Sequence, residues 1–208
     1  MLISIEGNIG SGKSTVIEWL KTQENKNIVF VDEPVNEWLS IKDKDGMNAL
    51  DCFYKDQKQN AFCFQILAYI TRLKKLILKL EEYVNQDIII ITERSIDTDR
   101  NVFAKMLYED GLISSIEWET YNYWFDTFKH ISTVNTIIYI KTDPEKCIER
   151  INKRNRTEET NIGLEYLEKC HKYHNDWLNK NEATIITING HETVEEIRNQ
   201  VMNVLNKL

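Results

Sequence analysis

Long uniform runs are what this sequence lacks. No apolar stretch approaches the length of a membrane span, so no helix through a bilayer is expected. No block of lysines and arginines stands against the formal net charge of −7, so a surface that tracks a nucleic-acid backbone is not expected either, and partners should be small. The four cysteines, Cys52, Cys63, Cys147 and Cys170, are widely spaced and form no C-x-x-C pair. That argues against a zinc site or a disulfide framework and predicts reduced thiols. Internal repeats, low-complexity tracts and interdomain linkers are absent too, so residues 1–208 are expected to form a single domain around one core. An apolar strand pattern begins at Leu2 and leaves no room for a signal or transit peptide, which sets the expectation of a soluble, cytoplasmic protein.

What is present is an alternation of short apolar runs with longer helical patterns, the mark of a parallel α/β sheet. Strands are expected at Leu2 to Glu6, Ile28 to Val31, Asp87 to Thr92, Ile137 to Ile140 and Thr184 to Ile188. The isoleucine run of the third suits a central strand covered on both faces. Helices are expected from Lys13 to Glu24, across Leu50 to Glu82, over Asp97 to Glu109 and Ser114 to His130, after Asp143-Pro144, from Gly163 to Asn179 and from Thr193 onward. In the long stretch Phe64, Leu67, Ile70, Leu73, Leu76, Ile77 and Leu80 recur at helical spacing. Asp143 is placed to cap the helix after it.

The most specific signal follows the first strand. Gly7-Asn8-Ile9-Gly10-Ser11-Gly12-Lys13-Ser14 fills the pattern G-x-x-x-x-G-K-[ST], with Thr15 next, and stands between an apolar strand and an amphipathic helix. Glycines let successive backbone N–H groups turn inward, and the helix start adds the positive end of its dipole. Lys13 would reach the outer phosphates of a nucleoside triphosphate, and the Ser14 hydroxyl would ligate Mg²⁺. The fold class read from this pattern is therefore α/β, a P-loop NTPase-type parallel sheet flanked by helices, with a short arginine-rich lid at about 150–160.

In open α/β sheets ligands bind beyond the carboxyl ends of the strands. Polar groups collect there: Asp32 and Glu33 after the second strand, Glu93 and Arg94 after the third. Glu33 is positioned to take a proton from an acceptor hydroxyl, with Arg94 holding its charge. No aspartate ends an apolar strand as in many P-loop hydrolases, so Glu93 is the candidate second anchor for Mg²⁺. Arg72 falls two helical turns after Gln65, with Ala68 between them, and Asp99 is placed to hold Arg72 by a charge-assisted pair. His171 and His174 read as hydrogen-bonded helix-interface residues rather than metal ligands.

These residues carry a resemblance that spans almost the whole chain. Ser4-Ile5-Glu6-Gly7-Asn8-Ile9-Gly10, Glu33-Pro34-Val35 with Trp38, Phe64-Gln65, Glu93-Arg94-Ser95 with Asp99-Arg100 and Phe103-Ala104, the charged stretch Arg150 to Glu159, and Leu164-Glu165-Tyr166-Leu167-Glu168 together resemble the deoxynucleoside kinases. The resemblance implies an enzyme that passes the γ-phosphoryl group of ATP, or another nucleoside triphosphate, to the 5′-hydroxyl of a deoxynucleoside with Mg²⁺, and a homodimer. It implies that Glu33 is the base and that Arg94 also meets phosphate. By the same resemblance Gln65 reads the edge of the nucleobase, Phe64 and Phe103 sandwich its faces, and Trp38 lines the pocket. Tyr54 and Glu159 bind the 3′-hydroxyl, and Arg150, Arg154 and Arg156 belong to the lid over the donor. An arginine and an aspartate at positions 72 and 99 go with deoxycytidine and purine deoxynucleosides rather than thymidine, and the choice among those stays open. Asp97-Thr98 departs from the Tyr-Ser of many relatives, at the expected pocket mouth. Two other readings stay beside this one. A nucleoside monophosphate kinase would need extra arginines around an acceptor phosphate, and a guanine-reading switch would need an N-K-x-D stretch, which is not present.

Overall fold

Five short strands align in parallel in the order β2-β3-β1-β4-β5. They are Leu2–Glu6 (β1), Ile28–Val31 (β2), Ile89–Glu93 (β3), Thr136–Lys141 (β4) and Thr184–Asn189 (β5) in a computed structural model that describes residues 1–25, 27–156, 159 and 162–208. The inner strands are rich in isoleucine because helices cover both faces. Ile3, Ile5, Ile138 and Ile140 have no exposed surface, and they pack with Val16, Ile17 and Leu20 on one side. Each such side chain withdrawn from water contributes about 1.5–3 kcal/mol.

Helices connect the strands: Lys13–Lys21 (α1), Val35–Ser40 (α2), Ala49–Lys55 (α3), Gln57–Glu82 (α4), Ile96–Thr98 (α5), Lys105–Glu109 (α6), Ser115–Phe128 (α7), Pro144–Arg154 (α8), Leu164–Leu178 (α9) and Val194–Leu205 (α10). The α/β class and the parallel sheet are as the sequence indicates. Several details differ. β1 is the middle strand, and β3 lies between it and the edge strand β2. The helix expected to reach Glu24 stops at Lys21. The stretch from Leu50 to Glu82 is two helices, because the Asp56 side chain caps α4 by accepting from the Gln59 N–H, and α2 was not foreseen. Ile70 of the expected apolar stripe points outward, 46% exposed. Asp143 precedes α8 but makes no side-chain cap; its carboxylate lies 3.1 Å from His191 instead. Between α5 and α6 the chain passes through a π-helical turn, Asp99–Ala104.

Strand register determines what meets at the carboxyl edge. Val31 pairs with Thr92 and Ile5 with Glu93, so Glu33 and Arg94, two residues beyond the first pair, come side by side next to Gly7. Asp97 and Thr98 are not among the residues lining the cleft at this edge: Thr98 closes a capping box with Ser95, and Asp97 sits near Glu6, Lys129 and Arg100.

His174 shows how an α9 side chain is used for structure. It is fully buried, its Nδ1 lies 2.7 Å from the Cys170 carbonyl, and its ring stacks on Tyr139 of β4 at 6.0 Å. Burial lowers its pKa from the ordinary 6.5 to about 3. Between those values the unfolded chain binds the extra proton, so folding stability falls as pH falls. Stability measured by urea unfolding should drop about 2 kcal/mol more between pH 7 and pH 5 in the wild type than in His174→Gln. Equal drops in the two proteins would show that the histidine is not held neutral.

Candidate active site

A cleft of about 490 Å³ opens along the carboxyl ends of β1, β2 and β3. One end is the loop after β1. Gly10 has a left-handed φ of 79°, and a Cβ there would lie 2.6 Å from the Cys147 carbonyl; Gly12, at φ 104°, starts α1. Only glycine allows both the turn and the close approach. Lys13 is buried, and its ammonium donates to the Asn8 carbonyl at 2.8 Å. Burial brings Lys13 down from 10.5 to about 8, with Arg94 adding to the effect and Glu93 and Glu33 opposing it. Ile9, Gly10, Ser11, Gly12, Ser14 and Thr15 line this end. Asn8 turns its amide away and donates to the Leu167 carbonyl at 2.8 Å, pinning the loop to α9.

Ser14 Oγ donates to Glu93 Oε1 at 2.7 Å. The two residues named from the sequence as oxygen ligands thus lie together at the edge of the loop. Among the described residues no group of three or more His, Cys, Asp or Glu could hold a metal ion. A hydroxyl and a carboxylate fit an ion that keeps several waters and takes its other oxygens from phosphate, as Mg²⁺ does.

The floor of the cleft is a buried charge cluster. Arg94 Nη1 donates to Glu33 Oε1 at 2.6 Å, and its Nη2 reaches the Gly7 carbonyl at 3.4 Å. The Arg94 backbone is left-handed, φ 61°, in a residue that is not glycine. Strain of this kind gathers at functional sites, and here it turns the chain at the end of β3. Arg72 of α4 reaches the same spot. It donates to Asp99 from Nε at 2.8 Å and Nη2 at 3.3 Å, to the Glu93 carbonyl from Nη1 at 2.6 Å, and to Glu33 Oε1 from Nη2 at 3.1 Å. The Asp99 pairing was expected from the sequence; the bond to Glu33 was not. Burial would raise the Glu33 carboxyl, but the Arg94 and Arg72 guanidiniums and the Lys13 ammonium overrule it and hold it at about 2.

The other end of the cleft is apolar and aromatic. Trp38, Tyr54, Phe64, Gln65, Ala68 and Phe103 all line it. Gln65 is buried, and its Oε1 has no partner within the described residues, as is true of Arg94 Nε. Phe64 stacks on Phe53 at 4.7 Å and meets the edge of Trp38 at 5.3 Å, while the Arg94 guanidinium lies 5.2 Å over the Phe103 ring. Trp38 is fixed in turn by donating from Nε1 to Thr71. Val35 and Tyr166, quoted in the sequence only as parts of family stretches, line the cleft too, and so do Phe53, Leu50, Val194 and Ile197, which were not proposed as site residues. Those last four follow no motif; Phe53 had one local cue, its place beside Tyr54.

The arginines expected in a lid fall into two groups. Arg150 lies inside α8 and braces two carbonyls, those of Ser11 at 3.0 Å and Gly190 at 2.8 Å. Arg154 pairs with Glu159 through Nε at 3.1 Å, and Arg156 lies 3.8 Å from the same carboxylate. All four residues line the cleft, as Tyr54 does. Residues 157, 158 and 160 of the expected lid lie outside the described residues.

Comparison with known proteins agrees in extent with this site. The family model described as deoxynucleoside kinase matches residues 3–208. The chain is 36% identical over 194 residues to deoxycytidine kinase of Mus musculus, covering 85% of this chain and 74% of that protein. It is 36% identical over 214 residues to a probable deoxycytidine kinase of fowlpox virus (strain NVSL), covering 99% and 86%. Mitochondrial deoxyguanosine kinase of Xenopus laevis is 36% identical over 199 residues, covering 88% and 75%.

The geometry also fixes what the Glu33 charge does for folding. Gln in its place keeps an oxygen for the two guanidiniums but leaves them without the charge that balances them. Glu33→Gln should therefore lower the unfolding free energy by about 1–3 kcal/mol at pH 7. A denaturation midpoint equal to wild type would mean that the ion pairs contribute nothing net.

Proposed function

Since the chain belongs to the deoxynucleoside kinase family, we propose that it transfers the γ-phosphoryl group of ATP, or another nucleoside triphosphate, to the 5′-hydroxyl of deoxycytidine or a purine deoxynucleoside, ahead of thymidine. The observation that carries this reading is the Glu33 carboxylate. It is held by Oε1 between two guanidiniums, at the junction of the phosphate loop and the aromatic end of the cleft. Its other oxygen is then available to an acceptor hydroxyl.

Each residue has a role that follows from its surroundings. The loop from Gly7 to Thr15 cradles the donor phosphates, and Lys13 exchanges its bond to the Asn8 carbonyl for a phosphate oxygen. Ser14 and Glu93 would hold the Mg²⁺ that accompanies the nucleotide, which would supply neutralisation of the phosphate charge. Glu33 stays ionised at every working pH and accepts the hydroxyl proton late, when the transferring group is already loosely held. Arg94, which spans Glu33 and the loop, moves part of its hydrogen bonding to the phosphoryl oxygens, and Glu33 becomes more basic as it does. Arg154 and Arg156 close over the donor, and Arg150 supports the loop from behind. Tyr54 and Glu159 take the sugar 3′-hydroxyl.

For the base, Gln65 offers both a donor and an acceptor to an edge that has the complementary pair. Arg72 has five donors, four of which are directed at Asp99, Glu93 and Glu33. One Nη1 hydrogen and the Asp99 carboxylate remain to read an amino or carbonyl group. The relatives' printed names, deoxycytidine kinase and deoxyguanosine kinase, support the same choice. A monophosphate acceptor would need cations that are not already spent, and Arg72 and Arg94 are engaged by carboxylates.

A homodimer accompanies this proposal. Ile116 and Tyr123, each 73% exposed, fall with Trp124 at helical spacing on the outer face of α7, an apolar stripe a second copy could cover. The four cysteines are free thiols, which suits the reducing cytoplasm.

Two measurements test the proposal. Glu33→Gln should retain ATP binding and lose about 10²–10⁴-fold in kcat, since the amide cannot accept a proton; near-normal turnover would remove Glu33 as the base. Wild-type kcat/KM for the best of deoxycytidine, deoxyadenosine and deoxyguanosine should exceed that for thymidine by about 10²-fold or more, because mismatched buried groups are left unpaired. Replacing Arg72 with Met and Asp99 with Ala should narrow the gap. Thymidine equal to or better than all three would overturn the base assignment.

A further inference from the structure

The π-helical turn Asp99–Ala104 is where the base-facing residues are arranged. Asp99, at its start, and Phe103, near its end, both line the cleft. A π turn takes up one residue more than an α turn, so a return to α geometry would rotate the residues after it by about 100° relative to those before it. Something must therefore hold the wider register.

Asn101 is placed to do so. Its Nδ2 donates to the Asp97 carbonyl at 2.8 Å, at the seam where α5 passes into the π turn. A side-chain donor on the carbonyl four residues back competes with the helix's own amide for that acceptor. The other end of the Asn101 amide is also engaged: Arg100 Nη1 donates to Oδ1 at 3.0 Å. Arg100 is anchored in turn to α7. Its Nε donates to Asn122 Oδ1 at 2.8 Å, and its guanidinium lies 5.0 Å over the Phe125 ring. Asn101 itself is only partly buried and is not among the residues lining the cleft.

We propose that Asn101 is a positioning residue for base recognition, its amide locking the π-helical turn that presents Asp99 and Phe103 together to the nucleobase. The inference rests on the proposed deoxynucleoside kinase reading, because it is that reading that puts a base against Phe103. It differs from a general structural role in where the loss falls. The donor end of the cleft, Glu33, Glu93 and Arg94 are built on other elements, and Asp99, which holds Arg72, stands at the start of the turn, before the residues a change of register would rotate, so the loss should fall on acceptor binding.

A double-mutant cycle with Phe103 tests this, using the deoxynucleoside that the wild type phosphorylates best. Asn101→Ala should raise the KM for that deoxynucleoside about tenfold, the loss of one stacking face, with kcat at saturation and the KM for ATP within about twofold of wild type. Asn101→Asp, which keeps the shape but cannot donate to the Asp97 carbonyl, should behave alike and replaces Asn101→Ala in the cycle if the latter does not fold. Combined with Phe103→Ala, either change should add nothing to the loss that Phe103→Ala causes alone. Multiplying losses in the double variant, an unchanged deoxynucleoside KM in the single one, or an equal defect in the ATP KM would each overturn the proposal. A wild type that phosphorylates no deoxynucleoside would instead overturn the functional reading beneath it.

Discussion

Three cations, Lys13, Arg72 and Arg94, are buried at the carboxyl edge of the sheet, and the fold tolerates them because the buried Glu93 and Asp99 and the partly buried Glu33 lie among them. Taking a charge out of water costs several kcal/mol, and a pair returns that cost only when geometry and hydrogen bonds are good. Here the geometry comes from five separate parts of the chain: Lys13 starts α1, Glu33 follows β2, Arg72 rises from the middle of α4, Glu93 and Arg94 close β3, and Asp99 starts the π turn. Each could be elsewhere without harm to the hydrophobic core. Their convergence is therefore a feature of the site, and the rest of the molecule can be seen as the frame that holds it.

That frame is the register of the sheet. Side chains alternate along a strand, so a shift of one residue between β2 and β3 would turn Glu33 away from Arg94. The register is set by burial: the isoleucines of β1, β3 and β4 have one good arrangement between the two helical layers. Core packing thus has a direct electrostatic consequence. The same isoleucines that stabilise the fold place the carboxylate within 2.6 Å of its guanidinium.

Much of this was legible in the sequence, and unevenly so. The loop from Gly7 to Ser14 was legible because backbone geometry demands particular residues at particular spacings. The strands were legible because burial on both faces demands β-branched runs. Glu33, Arg94, Arg72 and Asp99 could be named from strand ends, helical spacing and family resemblance. Three kinds of feature were not legible. The π turn has no sequence pattern, since it differs from an α-helix by one residue of register. The left-handed Arg94 breaks the preference of its residue type, and such strain is supported only by tertiary contacts. The break at Asp56 depended on one side-chain cap within a polar stretch that breaks no helical propensity. The Arg72 bond to Glu33 joins two positions 39 residues apart, and neither carries local information about the other.

For the base that we propose, a pKa held so low looks unfavourable, yet it suits a phosphoryl transfer. In a loose phosphoryl transfer the attacking oxygen forms little bond before the leaving group has departed, so its proton is hardly acidic until late. A strong base would gain little early in the reaction and would risk being protonated and idle in the free enzyme. A weak base that is always ionised can orient the hydroxyl by hydrogen bonding from the start. Because Arg94 bonds both Glu33 and the Gly7 carbonyl of the loop, a phosphoryl charge developing at that loop would, on the proposed function, compete with the carboxylate for the same guanidinium. As Arg94 turns to that charge, Glu33 loses the partner that does most to depress its pKa. The base would thus strengthen when the proton becomes ready to move, and arrival of the donor phosphate would be what prepares the acceptor.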